Sequence, residues 1–203
     1  MDGPESESDL PIVWIDCEMT GLNPQRDVLL EIAVLVTWGH SLDVAHDALD
    51  LVMHQPNHLL EQMKPVCRDM HTRSGLIDRV RQSNCTVADA EREVLTYLTQ
   101  RGVSSGTAPM GGNSVHVDRV FLARYMPALS AFLHYRLVDV STVKELCRRW
   151  YPQVYAAAPR KRGRHRALDD IAESIAELAY YRNTIFRNAD IGHAGVGSPQ
   201  PLQ

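Results

Sequence analysis

Ile12-Val13-Trp14-Ile15-Asp16-Cys17-Glu18-Met19-Thr20-Gly21 is the stretch that decides the fold. An apolar run leads into two acids one residue apart, and a Gly-Leu-Asn-Pro turn follows at Gly21 to Pro24. Side chains alternate along a strand, so positions i and i+2 share a face. Asp16 and Glu18 therefore project together. Two carboxylates held side by side repel each other unless a cation or a shared proton relieves them. Hard divalent ions that prefer oxygen, such as Mg2+ or Mn2+, fill that role. A strand end with two solvated acids accounts for the pair equally well, so the rest of the chain has to decide.

Outward from this stretch, residues 10–16 read as a central strand, apolar enough to be covered on both faces. Residues 28–36 and 48–54 read as two more strands, completing a meander. Residues 57–64 and 64–81 suggest short helices. Thr86, with Asp89 three residues on, resembles a capping box for a helix whose apolar stripe is Val87, Ala90, Val94 and Leu98, with Gly102 as its stop. Beyond it, residues 107–111 and 137–140 read as short strands, 115–125 and 142–150 as helices, and 151–166 as a loop. Residues 167–185 form a long helix with the stripe Leu168, Ile171, Ile175, Leu178 and Ala179. Strands that come first and then alternate with helices imply an α/β fold, a mixed sheet with helices packed on it.

The chain has 203 residues, 44% of them hydrophobic and 23% charged, enough for one α/β domain with a full core. The expected division is an acidic, disordered tail over 1–9, one domain over 10–186 and a flexible Gly/Pro-rich tail over 187–203. The net charge of -4 is that of the first tail, which holds Asp2, Glu5, Glu7 and Asp9 without a base. The four cysteines lack a CxxC spacing and read as reduced thiols rather than a zinc site or disulfide framework. No apolar run approaches the ~20 residues that span a bilayer, and no secretory signal is visible, so the expectation is a cytoplasmic protein without a membrane partner. A mitochondrial or nuclear location stays open should a targeting segment have been trimmed.

Three later segments carry acids or bases in notable places. Asp118 follows Gly111-Gly112-Asn113-Ser114 and falls in the first turn of a helix, where the macrodipole alone would favour an acid. In His165-Arg166-Ala167-Leu168-Asp169-Asp170, Asp170 precedes Ile171 and so points about 100° away from the helix stripe. His165, just before that helix, has the side chain best suited to proton transfer near neutral pH. Around it run Arg160, Lys161, Arg162, Arg164 and Arg166, a basic stretch beside an acidic cluster that suits a polyanionic substrate.

In order, Asp16-x-Glu18, Asp118 and His165 with Asp170 resemble the DEDDh 3'-5' exonucleases, which share the RNase H-like fold. The strings at residues 14–22, 112–114, His134-Tyr135-Arg136, 139–146 and 165–170 resemble the oligoribonuclease branch, and the likeness covers nearly all of 10–186. It implies that Asp16, Glu18, Asp118 and Asp170 bind two Mg2+ or Mn2+ ions roughly 4 Å apart. His165 would be the general base, and the product a 5'-mononucleotide. It implies short single-stranded RNA as substrate, two to about five nucleotides with dinucleotides preferred. Leu22, Tyr135 and His71 would line the substrate pocket, while Ser114, Arg136, Ser141 and Thr142 would hold the 5'-phosphate. It also implies a homodimer, with Tyr135 reaching in from the second subunit. The likeness departs at Lys64-Pro65-Val66-Cys67, where the family usually carries a tryptophan. Two other readings stay open: a related exonuclease that trims structured RNA or proofreads DNA, and a non-catalytic binding module.

Overall fold

In a computed structural model, residues 10–38, 42, 47–159 and 166–186 are described. Both expected tails, 1–9 and 187–203, lie outside these residues, as does 160–165. The apolar run at the start forms β1 (Ile12–Met19), which sits in the middle of a five-stranded sheet. It pairs antiparallel with β2 (Leu29–Thr37), and β2 pairs antiparallel with β3 (Leu49–Val52). On its other side β1 runs parallel to the short β4 (Met110–Gly112), itself parallel to β5 (Leu137–Asp139), giving the order β3-β2-β1-β4-β5. The meander and the mixed sheet are as expected.

β1 runs three residues further than the expected 10–16, so Glu18 as well as Asp16 lies within the strand. Pairing with β2 carries it through: Asp16 faces Ala33 and Glu18 faces Glu31, and the register breaks only between Glu18 and Met19. Strands are held by backbone bonds that do not depend on side-chain polarity.

Helices α1 (Asn57–Glu61), α2 (Pro65–Arg73) and α3 (Leu76–Gln82) occupy the region between β3 and the capped helix α4 (Val87–Gln100). The expected helix over 64–81 is two, broken at Gly75, whose φ of 72° is a left-handed turn that glycine tolerates. The capping box is present in full: the Thr86 hydroxyl accepts from the Asp89 amide at 3.1 Å, and the Asp89 carboxylate accepts from the Thr86 amide at 3.1 Å. Helix α5 (His116–Tyr125) ends before Pro127, but that proline opens a further short helix, α6 (Pro127–Phe132), rather than a loop. Proline at the first helical position loses no bond, because that amide has no partner within the helix. The same device starts α8 (Pro152–Ala157), inside the expected 151–166 loop, after α7 (Val140–Trp150).

The two faces of the sheet are covered by different helices. Val13, Ile15 and Cys17 pack with Ala90, Val94 and Leu98 of α4 and with Phe121, Leu122 and Leu129 of α5 and α6. Trp14, Ala33 and Leu35 pack with Ala167, Ile171 and Ile175 of α9 (Ala167–Ile185). Ala167, fully buried, takes the place expected of Leu168, which is 36% exposed. Alternation along β1 thus directs Trp14, Asp16 and Glu18 towards α9. The buried Trp14 indole donates to the Thr37 hydroxyl at 2.9 Å. Thr37→Val keeps the shape but strands that N–H, so it should lower unfolding free energy by about 1–3 kcal/mol in denaturant melts, with an unchanged m-value.

Candidate active site

β1 brings Asp16 and Glu18 to the α9 side of the sheet, and the first turn of α9 brings Asp170. Carboxylate oxygens of the three lie within 4.8 Å of one another. Asp170 is in that turn because its amide bonds back to the Arg166 carbonyl at 3.0 Å. The expected placement of Asp170 off the apolar stripe therefore directs it to the strand acids.

Asp118 reaches β1 by a different route. β4 pairs with β1 only at Val13 and Trp14 and ends at Gly112, so the β1 edge beyond it has no strand to bond among the described residues. There the Cys17 amide donates to Asp118 Oδ1 at 3.0 Å. Asp118 lies in the first turn of α5, as expected, and it is buried, at 7% exposure, with the Cys17 amide as a partner beyond the macrodipole.

Burial, then Asp170, Glu31 and Asp118 in turn, raise Glu18 from its ordinary 4.5 to about 8, against a smaller pull downward from Arg166. Burial lifts Asp118 to about 7 despite the Cys17 amide, which favours its charged form. The Cys17 thiol is pushed well up by burial and by Asp118, Asp16 and Glu18. The crowded oxygens of Asp16, Glu18 and Asp170 fit a hard divalent cation, while Asp118, bonded to the Cys17 amide, stands outside that 4.8 Å group.

His71 is fully buried on α2, with Nε2 2.9 Å from the Met19 carbonyl and Nδ1 3.9 Å from Glu18 Oε2. It adjoins Glu18 from α2. Leu22 projects from the loop after β1, 76% exposed, at the mouth of a cleft of about 530 Å3 lined also by Thr20, Asn23, Lys64, Val66 and Cys67. That loop is held by Asp27, whose carboxylate accepts from the Asn23 amide at 2.9 Å and contacts the space a Gly21 side chain would need. Tyr135 stands in the turn before β5, 75% exposed, its ring 4.4 Å from that of His134 and under the Arg136 guanidinium at 5.5 Å.

Ser114 and Ser141 come together, their hydroxyls 3.2 Å apart, with Thr142 exposed beside them at the start of α7. Ser114 holds a left-handed φ of 52°, and its amide donates to Asp139 Oδ1 and Ser141 Oγ, each at 3.0 Å. The sequence reading missed Asp139 as the residue organising this corner. It also missed Glu31, although an acid inside Leu29-Leu30-Glu31-Ile32-Ala33-Val34 was a visible anomaly. His165 and the basic residues Arg160, Lys161, Arg162 and Arg164 lie outside the described residues.

Comparison with known proteins agrees with this geometry. The sequence profile of the exonuclease family matches residues 13–178. The chain is 53% identical over 179 residues to an oligoribonuclease of Nocardia farcinica, covering 88% of this chain and 82% of that one. An oligoribonuclease of Streptomyces avermitilis is 55% identical over 175 residues, 86% of each chain, and one of Mycobacterium tuberculosis is 53% identical over 175 residues, 86% of this chain and 81% of that one. Among solved structures, exonuclease I of Methylocaldum szegediense superposes with a TM-score of 0.63 at 18% identity, and an E. coli exonuclease I–single-stranded DNA complex in its zinc-bound form with 0.65 at 14%. Each covers 87% of this chain, which spans about two fifths (41%) of theirs, and the likeness is one of fold. No helix among the described residues is long and apolar enough to cross a membrane. With carboxylates gathered on the central strand of an RNase H-like sheet, a matching exonuclease profile and relatives more than half identical, the chain belongs to the oligoribonuclease family of DEDDh 3'-5' exonucleases.

Proposed function

We propose that this exonuclease hydrolyses short single-stranded RNA, two to about five nucleotides long and dinucleotides best, to 5'-mononucleotides. The observation that carries the reading is the convergence of Asp16, Glu18 and Asp170 in a chain so close to curated oligoribonucleases. Asp16, Glu18, Asp118 and Asp170 would hold two divalent ions, Mg2+ or Mn2+. When bound, such ions activate water and offset the charge that gathers on phosphate. His165, one residue before Arg166, is assigned as the general base that takes the proton of the attacking water.

The remaining residues select the substrate. Ser141 and Thr142 lie in the first turn of α7, where the N-cap Asp139 carboxylate already accepts from the Ser141 amide at 2.9 Å, so their hydroxyls are the groups left to meet a phosphate. With Ser114 and Arg136 they are assigned to the 5'-phosphate, which would limit the length accepted. Leu22 and Tyr135 present exposed apolar faces to the bases, and stacking serves every base alike. His71 is assigned to the same substrate site, which it would serve through Glu18 and the Met19 carbonyl, since it is itself fully buried. Val66, 82% exposed, leaves this part of the cleft without an aromatic wall. Tyr135 is assigned to the pocket of a second subunit, making the working unit a homodimer.

The deciding assay compares 5'-labelled RNAs of two, five and twenty nucleotides with Mn2+ or EDTA. Metal-dependent release of mononucleotides, fastest on the dinucleotide, is expected; equal or faster cleavage of the long strand would refute the length selection. Asp16→Ala should lower kcat by roughly 10³-fold or more while the fold persists.

Proton and metal compete for the same oxygens. Glu18 at about 8 and Asp118 at about 7 hold protons more tightly folded than unfolded. Stability of the metal-free protein should therefore fall as pH rises from about 4 towards about 8, then level off. Added Mn2+ should raise Tm more at pH near 8 than near 6; equal gains at both would dismiss the competition.

Trans completion has its own assay. Asp16→Ala and Tyr135→Ala subunits, each inactive on dinucleotide, should recover about a quarter of wild-type turnover after random reassociation, because one pocket of each hybrid is intact. No recovery in proven hybrids would place Tyr135 outside the partner's pocket.

A further inference from the structure

The face of the sheet that holds the metal-binding acids carries a second set of charges that the proposed chemistry does not use. Glu31 lies directly opposite Glu18 in the β1–β2 register and is fully buried. Asp50 stands opposite Ala33 on β3, on the same face. Two arginines from different helices reach both acids. Arg79 of α3 places Nη1 2.6 Å from Glu31 Oε1 and Nη2 3.3 Å from Asp50 Oδ2. Arg166, the N-cap of α9, places Nε 3.6 Å from Glu31 Oε1 and Nη2 3.5 Å from Asp50 Oδ2.

Stability is a poor reason for this cluster, since well-packed apolar residues usually do as well as a buried ion-pair network. Its location offers a better one. Arg166 is the residue whose carbonyl accepts the Asp170 amide at 3.0 Å, so it closes the turn that carries the third acid. The N-cap makes no side-chain capping bond; its guanidinium reaches across to β2 and β3 instead. Planar guanidinium groups fix direction as well as charge, which an ammonium does not.

We propose that Arg166, with Arg79, Glu31 and Asp50, forms a positioning latch that sets the start of α9 on the sheet, and through it Asp170 against Asp16 and Glu18. The latch rests on the metal-centre reading above. It makes Arg166 a positioning residue, distinct from the basic run before it, whose charge would act on substrate. The set is neutral, so its effect is on geometry more than on attraction for RNA.

The test uses the full chain with Arg166→Lys, which keeps the charge and loses the fork, and Asp50→Asn, which keeps the shape and loses the charge. Mn2+ affinity is read by electron paramagnetic resonance titration, kcat and KM on an RNA dinucleotide, and folding by circular dichroism and melting. The latch predicts Mn2+ Kd weakened and kcat lowered by about 10- to 100-fold, with KM within about threefold of wild type. A folded Arg166→Lys with wild-type Mn2+ affinity and kcat overturns it, and so does a fall in Tm alone with both constants unchanged. Should Arg166→Lys not fold, Asp50→Asn, at a partly exposed position, decides by the same criteria. A wild-type protein with no Mn2+ affinity overturns the metal-centre reading itself, and the latch with it.

Discussion

Repulsion among carboxylates is the constraint to which the rest of this structure answers. Asp16 and Glu18 share a face because strands alternate, Asp170 joins them from α9, and Asp118 approaches the same strand from α5 at the Cys17 amide. Each acid has a local support: Asp118 takes a strand amide that no neighbouring strand can use, and Asp170 sits in a turn closed on Arg166. None of these supports removes the crowding, and burial sharpens it by raising Glu18 and Asp118 towards neutrality. The apolar cores on either side of β1 hold the strand rigid enough to keep such groups together.

Glu31 extends the same theme. It adds an anion directly across from Glu18, yet it comes with two arginines that also hold Asp50. The sheet therefore presents a neutralised charge cluster beside one that only a proton or a cation can settle. Keeping the two apart is a matter of arginine reach, because both lie on one face.

Much of this could be read from residue order. The meander and the capped helix α4 followed from alternation and capping chemistry, which are local; Asp16 and Glu18 shared a face by alternation, whereas Asp118 and Asp170 were picked out by the motif they complete across the chain. Helix period also separated Asp170 from the stripe of α9. Leu168 was misjudged because a helix entering the sheet at its first turn buries Ala167, a choice set by the approach of Trp14 and Ala33 rather than by the period. The short helices α6 and α8 were invisible for a related reason: a proline that ends one helix can begin the next, and the two outcomes share one sequence signal. Partners such as Arg79 with Glu31, or Ser114 with Asp139, are separated by 48 and 25 residues, and nothing local announces them.

The loop after β1 separates support from contact. Asp27 holds its backbone, through the Asn23 amide and against Gly21, while Leu22 contributes its side chain to the cleft and little to the core. A position arranged this way is free to vary: its side chain can be exchanged without disturbing the turn that presents it. The lining of this cleft can therefore change at Leu22 by single substitutions at little cost in stability, whereas the glycine beside it is locked by the carboxylate it touches.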